Sequence, residues 1–492
     1  MTREAADVVP GAAVDVAVAD ALAGAFGADR ANAIARNAIT SMGVNKAARN
    51  PVAMRAYADT FGVSLKAAKT VTNQRHSGRC WLFATLNVLR ARVLERLDVE
   101  DFEFSQAYGM FYDKLEKANA FLNNVVATAD LPWDDRTVEF LLQSGTAAMD
   151  GGEFAFAANL IAKWGAVPKT AMPETASTKD SSQMNATLGR MLHRDAVELR
   201  RLVAAGEDEA GVTAAREAML ADVHRVLCAC LGEPPTTFDL ELSVGSKAKL
   251  DEVAEGGLEA ALPARDGDDE KPRRILRERA ITPREFVERY VGFDPADYVE
   301  LVHVPATDLE MGHAYGVRWM DTVSGGAPMR MLNVDVEKVE DAAMASLKAG
   351  VPCYMACDVM QEFGRNLDDF PGTLALGTLD REGLFGVELG MSRADMLDAR
   401  ETCFTHAMTF QGVQLGKDGR PEAWRVENSW GKDSCKDGYL VMSGDWYRLY
   451  GGDVVVERRF VDEASLQLWD EAQLEYTEPW GVLAAAMGVG RE

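Results

Sequence analysis

The chain has 492 residues, of which 47% are apolar and 26% charged. That composition excludes collagenous, mucin-like and wholly disordered chains, and the length leaves room for roughly two to four folding units. Lys and Arg number 52 against 77 Asp and Glu, a formal charge of −25; such an excess repels phosphate backbones and anionic bilayers, so neither nucleic acid nor a membrane is expected as a partner. No apolar run approaches the roughly 18 residues of a membrane-spanning helix. The first ten residues lack a basic region followed by an apolar core, so no secretory signal is read there. Seven cysteines, at 80, 228, 230, 353, 357, 403 and 435, are too sparse for a disulfide framework, and a reducing cytoplasm is the expected location.

Residues 12–41, rich in Ala, Val and Asp, read as one amphipathic helix, and 45–72 as an arm or second helix. From Cys80 to Leu97 the apolar residues are dense enough for a buried central helix. Residues 102–122 form the next helix, with Ser105 as its N-cap. Segments 134–144 and 153–164 continue the helical pattern, and 182–231 is a long helical stretch broken near Gly206. Residues 246–275 are polar, acidic and Gly-rich, which predicts a loop; Thr282 and Pro283 then cap a helix over 283–291. Beyond about 297 the texture changes to short runs of β-branched and aromatic residues, among them VELVHVPA, VPCYMACDV, HAMTFQGVQL and AWRVENSW. Helices first and strands later predict an α+β fold, a helical half packed on a β half.

The sharpest segment is VTNQRHSGRCWLFATLN, residues 71–87. Cys80 opens an apolar helix, where unsatisfied N–H groups and the helix dipole favour thiolate over thiol. Six residues upstream, the Gln74 amide can join the Cys80 backbone N–H as an oxyanion hole for acyl transfer. A thiol nucleophile needs a base, and His406 lies in a strand-like segment far downstream. Asn428 follows in VENSWG; its amide oxygen can orient an imidazole without adding charge, and Trp430 can shield that bond from water. Each feature alone has a plainer reading: a buried thiol, a structural histidine, a turn. Together and in this order they match the Cys–His–Asn chemistry of papain-like cysteine peptidases.

The run TNQRHSGRCWLFATLNVLR resembles the active-site segment of bleomycin hydrolases and bacterial aminopeptidase C. FSQAYGMFYDKLEKANAFL, MDGGEFAFAANLIAKWGAVPKTAMPET, ITPREFVERYVGF, WRVENSWG and GYLVMSGDWYRLYGGDVVV resemble that family too, over about residues 40–480. Ser77 stands where secreted papain-like members carry a disulfide cysteine. The resemblance implies Cys80 as nucleophile, His406 as general base and acid, Asn428 as orienter and Gln74 as oxyanion donor. It also implies a papain-like fold with helical oligomerisation insertions, peptide substrates, no cofactor and a homohexamer whose own C-terminus lies in the cleft. The implied division is an N-terminal arm over 1–70, the helical half of the catalytic domain over 71–180, a helical insertion over 181–296, the β half over 297–480 and a tail over 481–492. Asp150, Gly151 and Gly152 are then the candidate edge for substrate backbone, with a simple turn as the equally weighted plainer reading; Trp430 is a candidate substrate-binding residue, and Glu492 the carboxylate that holds a substrate's ammonium. The chain departs from the family pattern in the longer, more acidic 246–275 and in the twelve residues that follow Trp480. The small side chains of that tail suit an extended strand threading the cleft.

Cys353 and Cys357 have no further Cys or His at ligand spacing, so strand burial is expected rather than a metal site. His313 reads as a locally bonded histidine, and Cys228 and Cys230 as packing residues. A cysteine aminopeptidase is the leading expectation. The alternatives are a thiol amidase or acyl-transferase on the same three residues, and an inactive peptidase scaffold that only binds.

Overall fold

The helix Cys80–Leu97 buries every residue from Trp81 to Arg90. A helix apolar on all sides must be covered on all sides, and the rest of the catalytic region is that cover. In the computed structural model, residues 14–54, 60–66, 68–143, 148–250, 258–259, 274–364 and 372–489 are described. On one flank lie Gln106–Ala127 and Phe154–Trp164. Ser105 caps the first of these as expected, its hydroxyl accepting from Tyr108 N at 3.1 Å. Ser182–Ala204 and Glu209–Leu231 pack on Gln106–Ala127, separated where Gly206 takes a φ of +79° that favours glycine.

The other flank is an eleven-stranded sheet. Its order is Leu474–Thr477, Ala314–Val317, Met331–Asn333, Tyr298–Val302, Gly451–Glu457, Cys353–Cys357, His406–Leu415, Pro421–Glu427, Tyr439–Ser443 and Thr373–Leu374, with Val63–Ser64 pairing on His406–Leu415. Strand alternation sorts side chains between two cores. Tyr354, Ala356 and Ala407 face the core that contains the central helix. Cys353, Met355, Cys357, Met408 and Phe410 face the opposite core, closed by the helix Val336–Lys348. The helical half therefore packs on a β half, the expected α+β arrangement.

Four sequence expectations change. Residues 12–41 are not one helix: Val16–Ala28 ends before Asp29, whose extended backbone breaks the run and whose carboxylate caps Arg30–Met42 at Ala31 N. The 181–296 insertion carries a three-stranded sheet of Phe238–Val244, Arg274–Ile281 and Leu258–Glu259 as well as helices. Most of the expected 246–275 loop lies outside the described residues. Pro283–Phe286 begins as an α-helix, with Thr282 and Glu285 forming a capping box, but Val287–Val291 widens to π geometry. The tail is a short helix, Val482–Ala486, not an extended strand.

Candidate active site

Cys80 is the first residue of the central helix, half-buried, and its N-cap Arg79 makes no side-chain cap. The turn before it is pinned on both sides. Gln74 N donates to Ser429 O at 2.8 Å and Gly431 N to Thr72 O at 3.0 Å, so the turn is stitched to the segment after Asn428. Gly431 has to be glycine: its φ is +81°, and a Cβ would lie 2.3 Å from Asn73 Nδ2. Arg79 is buried, with guanidinium contacts to Glu174 Oε2 at 3.1 Å, the Thr178 carbonyl at 2.6 Å and the Ser77 hydroxyl at 2.9 Å. A buried cation so fully bonded is an anchor with a fixed direction.

His406 starts the longest strand, directly opposite Cys357. Thr409 of that strand donates to Ala84 O at 3.3 Å, tying it to the helix that Cys80 opens. The Cys80 and Cys357 thiols lie within electrostatic range of each other. The His406 Nε2 to Asn428 Oδ1 distance is 2.8 Å. A carbonyl oxygen only accepts, so Nε2 carries the hydrogen in this pair. Trp430 stacks on the imidazole at 4.8 Å between ring centroids. Gln74 Nε2 donates to Ser77 O at 2.7 Å, and Gln74 Oε1 accepts from Ser429 Oγ at 2.6 Å. The Gln74 amide is thus bonded to Ser429, the neighbour of Asn428. The fold brings Gln74, His406, Asn428 and Trp430 into one bonded and stacked group at the end of the central helix.

The third wall is residues 148–152. Trp81 Nε1 donates to Asp150 O at 2.7 Å, and a Cβ on Gly152 would lie 2.6 Å from the Trp81 ring. That approach requires glycine at 152. Lys114 and Lys117 of the helix Gln106–Ala127 hold this segment: Lys114 Nζ is 2.7 Å from Asp150 Oδ1, and Lys117 Nζ is 2.6 Å from Gly151 O and 2.9 Å from Asp113 Oδ2. Burial opposes ionisation of Asp150, but the Lys114 ammonium and bonds from Ser181 and Asn185 outweigh it and hold the carboxyl below the usual range. Gly151 and Gly152 border a cavity of about 100 Å³ lined by Phe121, Phe140 and Met320 and also by Val489 of the tail. Ala486 O accepts from Phe404 N at 2.6 Å, seating the tail two residues before His406 in sequence. Glu492 lies outside the described residues.

Sequence reasoning missed Arg79–Glu174, the Asp113–Lys114–Lys117–Asp150 group and three carboxyls, the buried Glu300 and Asp453 and the half-buried Glu153. Burial pushes all three up, Asp453 to about 6. The available signal was charge on an apolar helix face: Asp113, Lys114 and Lys117 interrupt a core stripe. The plainer readings fare as expected elsewhere. Cys353 and Cys357 are buried in a strand, and burial pushes both thiols up. His313 sits between Glu475, at 2.6 Å, and Glu310, at 3.3 Å, near the far edge of the sheet.

Comparison with known proteins agrees with this geometry. A family model described as the Peptidase C1-like family matches residues 13–250 and 266–484. Aminopeptidase C of Lactobacillus helveticus is 35% identical over 92% of this chain and 94% of its own length. Aminopeptidase E of the same organism is 37% identical, covering 93% and 96%. The crystal structure of PepW from Lactobacillus rhamnosis superposes with a TM-score of 0.85 at 35% identity, covering 95% of this chain and 98% of that one. The helical and β halves are thus those of a papain-like peptidase, and the chain belongs to the Peptidase C1-like family.

Proposed function

We propose that Cys80 is the nucleophile of a cysteine aminopeptidase, with His406 as its proton partner, Asn428 as orienter of the imidazole and Gln74 as oxyanion donor. The aminopeptidase activity itself follows from family membership and from relatives named aminopeptidases C and E across nearly the whole chain. The observation that carries the residue assignment is the 2.8 Å His406–Asn428 bond under Trp430. With the hydrogen held on Nε2, proton exchange with the thiol falls to Nδ1. The Cys80 thiolate attacks the peptide carbonyl, and the oxyanion is met by the Cys80 backbone N–H and the second Gln74 amide hydrogen. His406 then protonates the leaving amine, giving an acyl-enzyme. Water, deprotonated by His406, releases the amino acid and restores the thiol.

The finer features are proposed on the same basis. Val489 beside Gly151 and Gly152 supports a tail that closes the non-leaving side of the cleft and limits cleavage to one residue at a time. The N-terminal helices bury no residue, which supports self-association, by resemblance as a homohexamer. Seven cysteines with no disulfide among the described residues support a reducing, cytoplasmic setting. A fluorogenic amino-acid amide should be hydrolysed and iodoacetamide should stop it, with the label on Cys80. N-acetylated peptides should resist the intact enzyme and be cut once residues 490–492 are deleted. A larger deletion would confound this test, because Val482, Leu483, Ala484 and Ala486 are core residues. Turnover that survives alkylation of Cys80 would overturn the assignment; blocked peptides cut equally before and after deletion would overturn the role of the tail.

A further inference from the structure

We infer that Asp150 is a positioning residue that locks the turn carrying Cys80 to the Gly151–Gly152 wall, so that nucleophile and substrate edge keep one spacing. The inference rests on the reading of Cys80 as nucleophile and goes beyond it. Asp150 holds the chain on both sides of that cysteine. Its Oδ2 accepts from Gly78 N at 3.1 Å, two residues before Cys80, and its carbonyl accepts from the Trp81 indole at 2.7 Å, one residue after. Asp150 is also the residue that leads into Gly151, so anything that moves its backbone moves the wall.

The far side of the carboxylate is equally committed. Oδ1 takes Lys114 Nζ at 2.7 Å and Asn185 Nδ2 at 2.9 Å, and Oδ2 also takes Ser181 Oγ. The carbonyls on either side are turned inward as well: Ala148 O to Lys114 at 2.5 Å, and Met149 O and Gly151 O to Lys117 at 3.1 and 2.6 Å. Gly152, next along, makes no backbone hydrogen bond among the described residues, which leaves its edge for an incoming peptide. A wall needed only for stability could be closed by apolar packing without the desolvation cost of buried ions. Directional bonds from one carboxylate to both the thiol-bearing turn and the wall do what packing cannot, which is to fix orientation. Misplacing reacting groups by about 1 Å costs on the order of 100-fold in rate.

The test uses the full chain with Asp150→Ala combined with Lys114→Met, which removes the side-chain grip on Gly78 N without stranding the ammonium. Expected for an amino-acid fluorogenic amide is a fall in kcat of about 10- to 100-fold, with KM little changed. The rate of Cys80 alkylation by iodoacetamide, a reagent too small to need the wall, should stay near wild type. A proportional fall of kcat and alkylation would show that Asp150 acts through the thiol itself or through folding, and would overturn the proposal; so would an unchanged kcat. If the double variant does not fold, Trp81→Phe removes the indole donor alone and should give the same split at about 3- to 10-fold in kcat; absence of a split there overturns the proposal. Wild-type enzyme inactivated by iodoacetamide with the label elsewhere than Cys80 is a distinguishable result, since it removes the nucleophile reading and with it the thiol to be positioned.

Discussion

Two helical regions of this chain both carry apolar faces and meet opposite fates. Cys80–Leu97 buries every residue from Trp81 to Arg90. Val16–Ala28 and Arg30–Met42 bury none, and Val16, Leu22 and Ile34 are 76%, 63% and 59% exposed. Apolar spacing states that a face needs cover; it does not say what supplies the cover. The central helix is covered by its own chain, and its first residue therefore sits where the helical and β halves meet. That boundary is where groups distant in sequence can be held at fixed distances, and it is where Gln74, His406 and Asn428 are joined beside the helix that Cys80 opens. The N-terminal helices have no such boundary among the described residues.

The comparison is broken most severely at the boundary itself. Cys80→Ala should cost about 10⁴-fold or more in kcat/KM while the thermal midpoint is held, since a half-buried thiol is replaced by a methyl of similar packing. His406→Ala should be nearly as damaging, because the two groups act as a unit. Asn428→Ala should lose about 10- to 100-fold, because the imidazole remains but its orientation is loosened. Kinetics of the three variants give the order, and an Asn428 variant worse than the His406 variant would contradict the proposed roles.

Stability separates the regions next. Arg79→Met strands the Glu174 carboxylate and the Thr178 and Ser77 acceptors beside Cys80. Breaking a buried pair in this way costs about 3–5 kcal/mol. Arg36→Met on the exposed N-terminal helix should stay within about 0.5 kcal/mol of wild type. Urea unfolding of both variants checks the contrast.

A smaller effect is pH-dependent. Burial raises Asp453 to about 6, and Glu300 and Glu153 shift the same way. The folded state therefore holds these protons more tightly than the unfolded chain. The contribution of Asp453 is complete below about pH 4 and is lost as pH rises through about 6. Asp150 has the opposite sign: its folded pKa is depressed, so its contribution is present above the ordinary carboxylate range and is lost in acid. Asp453→Asn keeps an acceptor for Ala356 N, which sits 2.6 Å away, and removes the titration. Its stability relative to wild type should rise by about 1–3 kcal/mol between pH 5 and 7, read from urea midpoints across that range. A flat difference would show that Asp453 is not the titrating group.

What the sequence made legible follows from locality. Cys80 opening an apolar helix, Ser105 as a cap and the NSWG run are each contained in a few residues, and each is present in the structure. Asp150 was not legible as a hub because its partners come from Gly78, Lys114, Ser181 and Asn185, segments that only the fold brings together. The strand Phe238–Val244 was legible in principle: Phe238, Leu240 and Val244 are buried while Asp239 and Glu241 are exposed, a period of two. It is a single seven-residue run between long helices and an acidic stretch, too short to change the helical texture of its surroundings. The tail departs from expectation for a different reason. Its glycines suggested an extended strand, yet Ala484–Ala486 is a run of the best helix former, and a helix lets Val482 and Leu483 reach the core.

The mildest perturbation bears on what covers the N-terminal helices. Leu22→Ser together with Phe26→Ser alters side chains that are 63% and 45% exposed and in a helix that buries nothing. In an isolated chain such changes should move unfolding free energy by no more than about 0.5 kcal/mol each. If a second copy covers this face, the same two substitutions add hydroxyls to a desolvated interface, and assembly should suffer while the fold of the subunit does not. Light scattering at matched concentrations is therefore the informative measurement. A lower mass for the variant, with unfolding by urea of the dissociated subunit unchanged, places the missing cover in another subunit. An identical mass for variant and wild type would mean that these helices are not part of the assembly contact. The contrast with the central helix would then reduce to exposure alone, because the face would have no partner to lose.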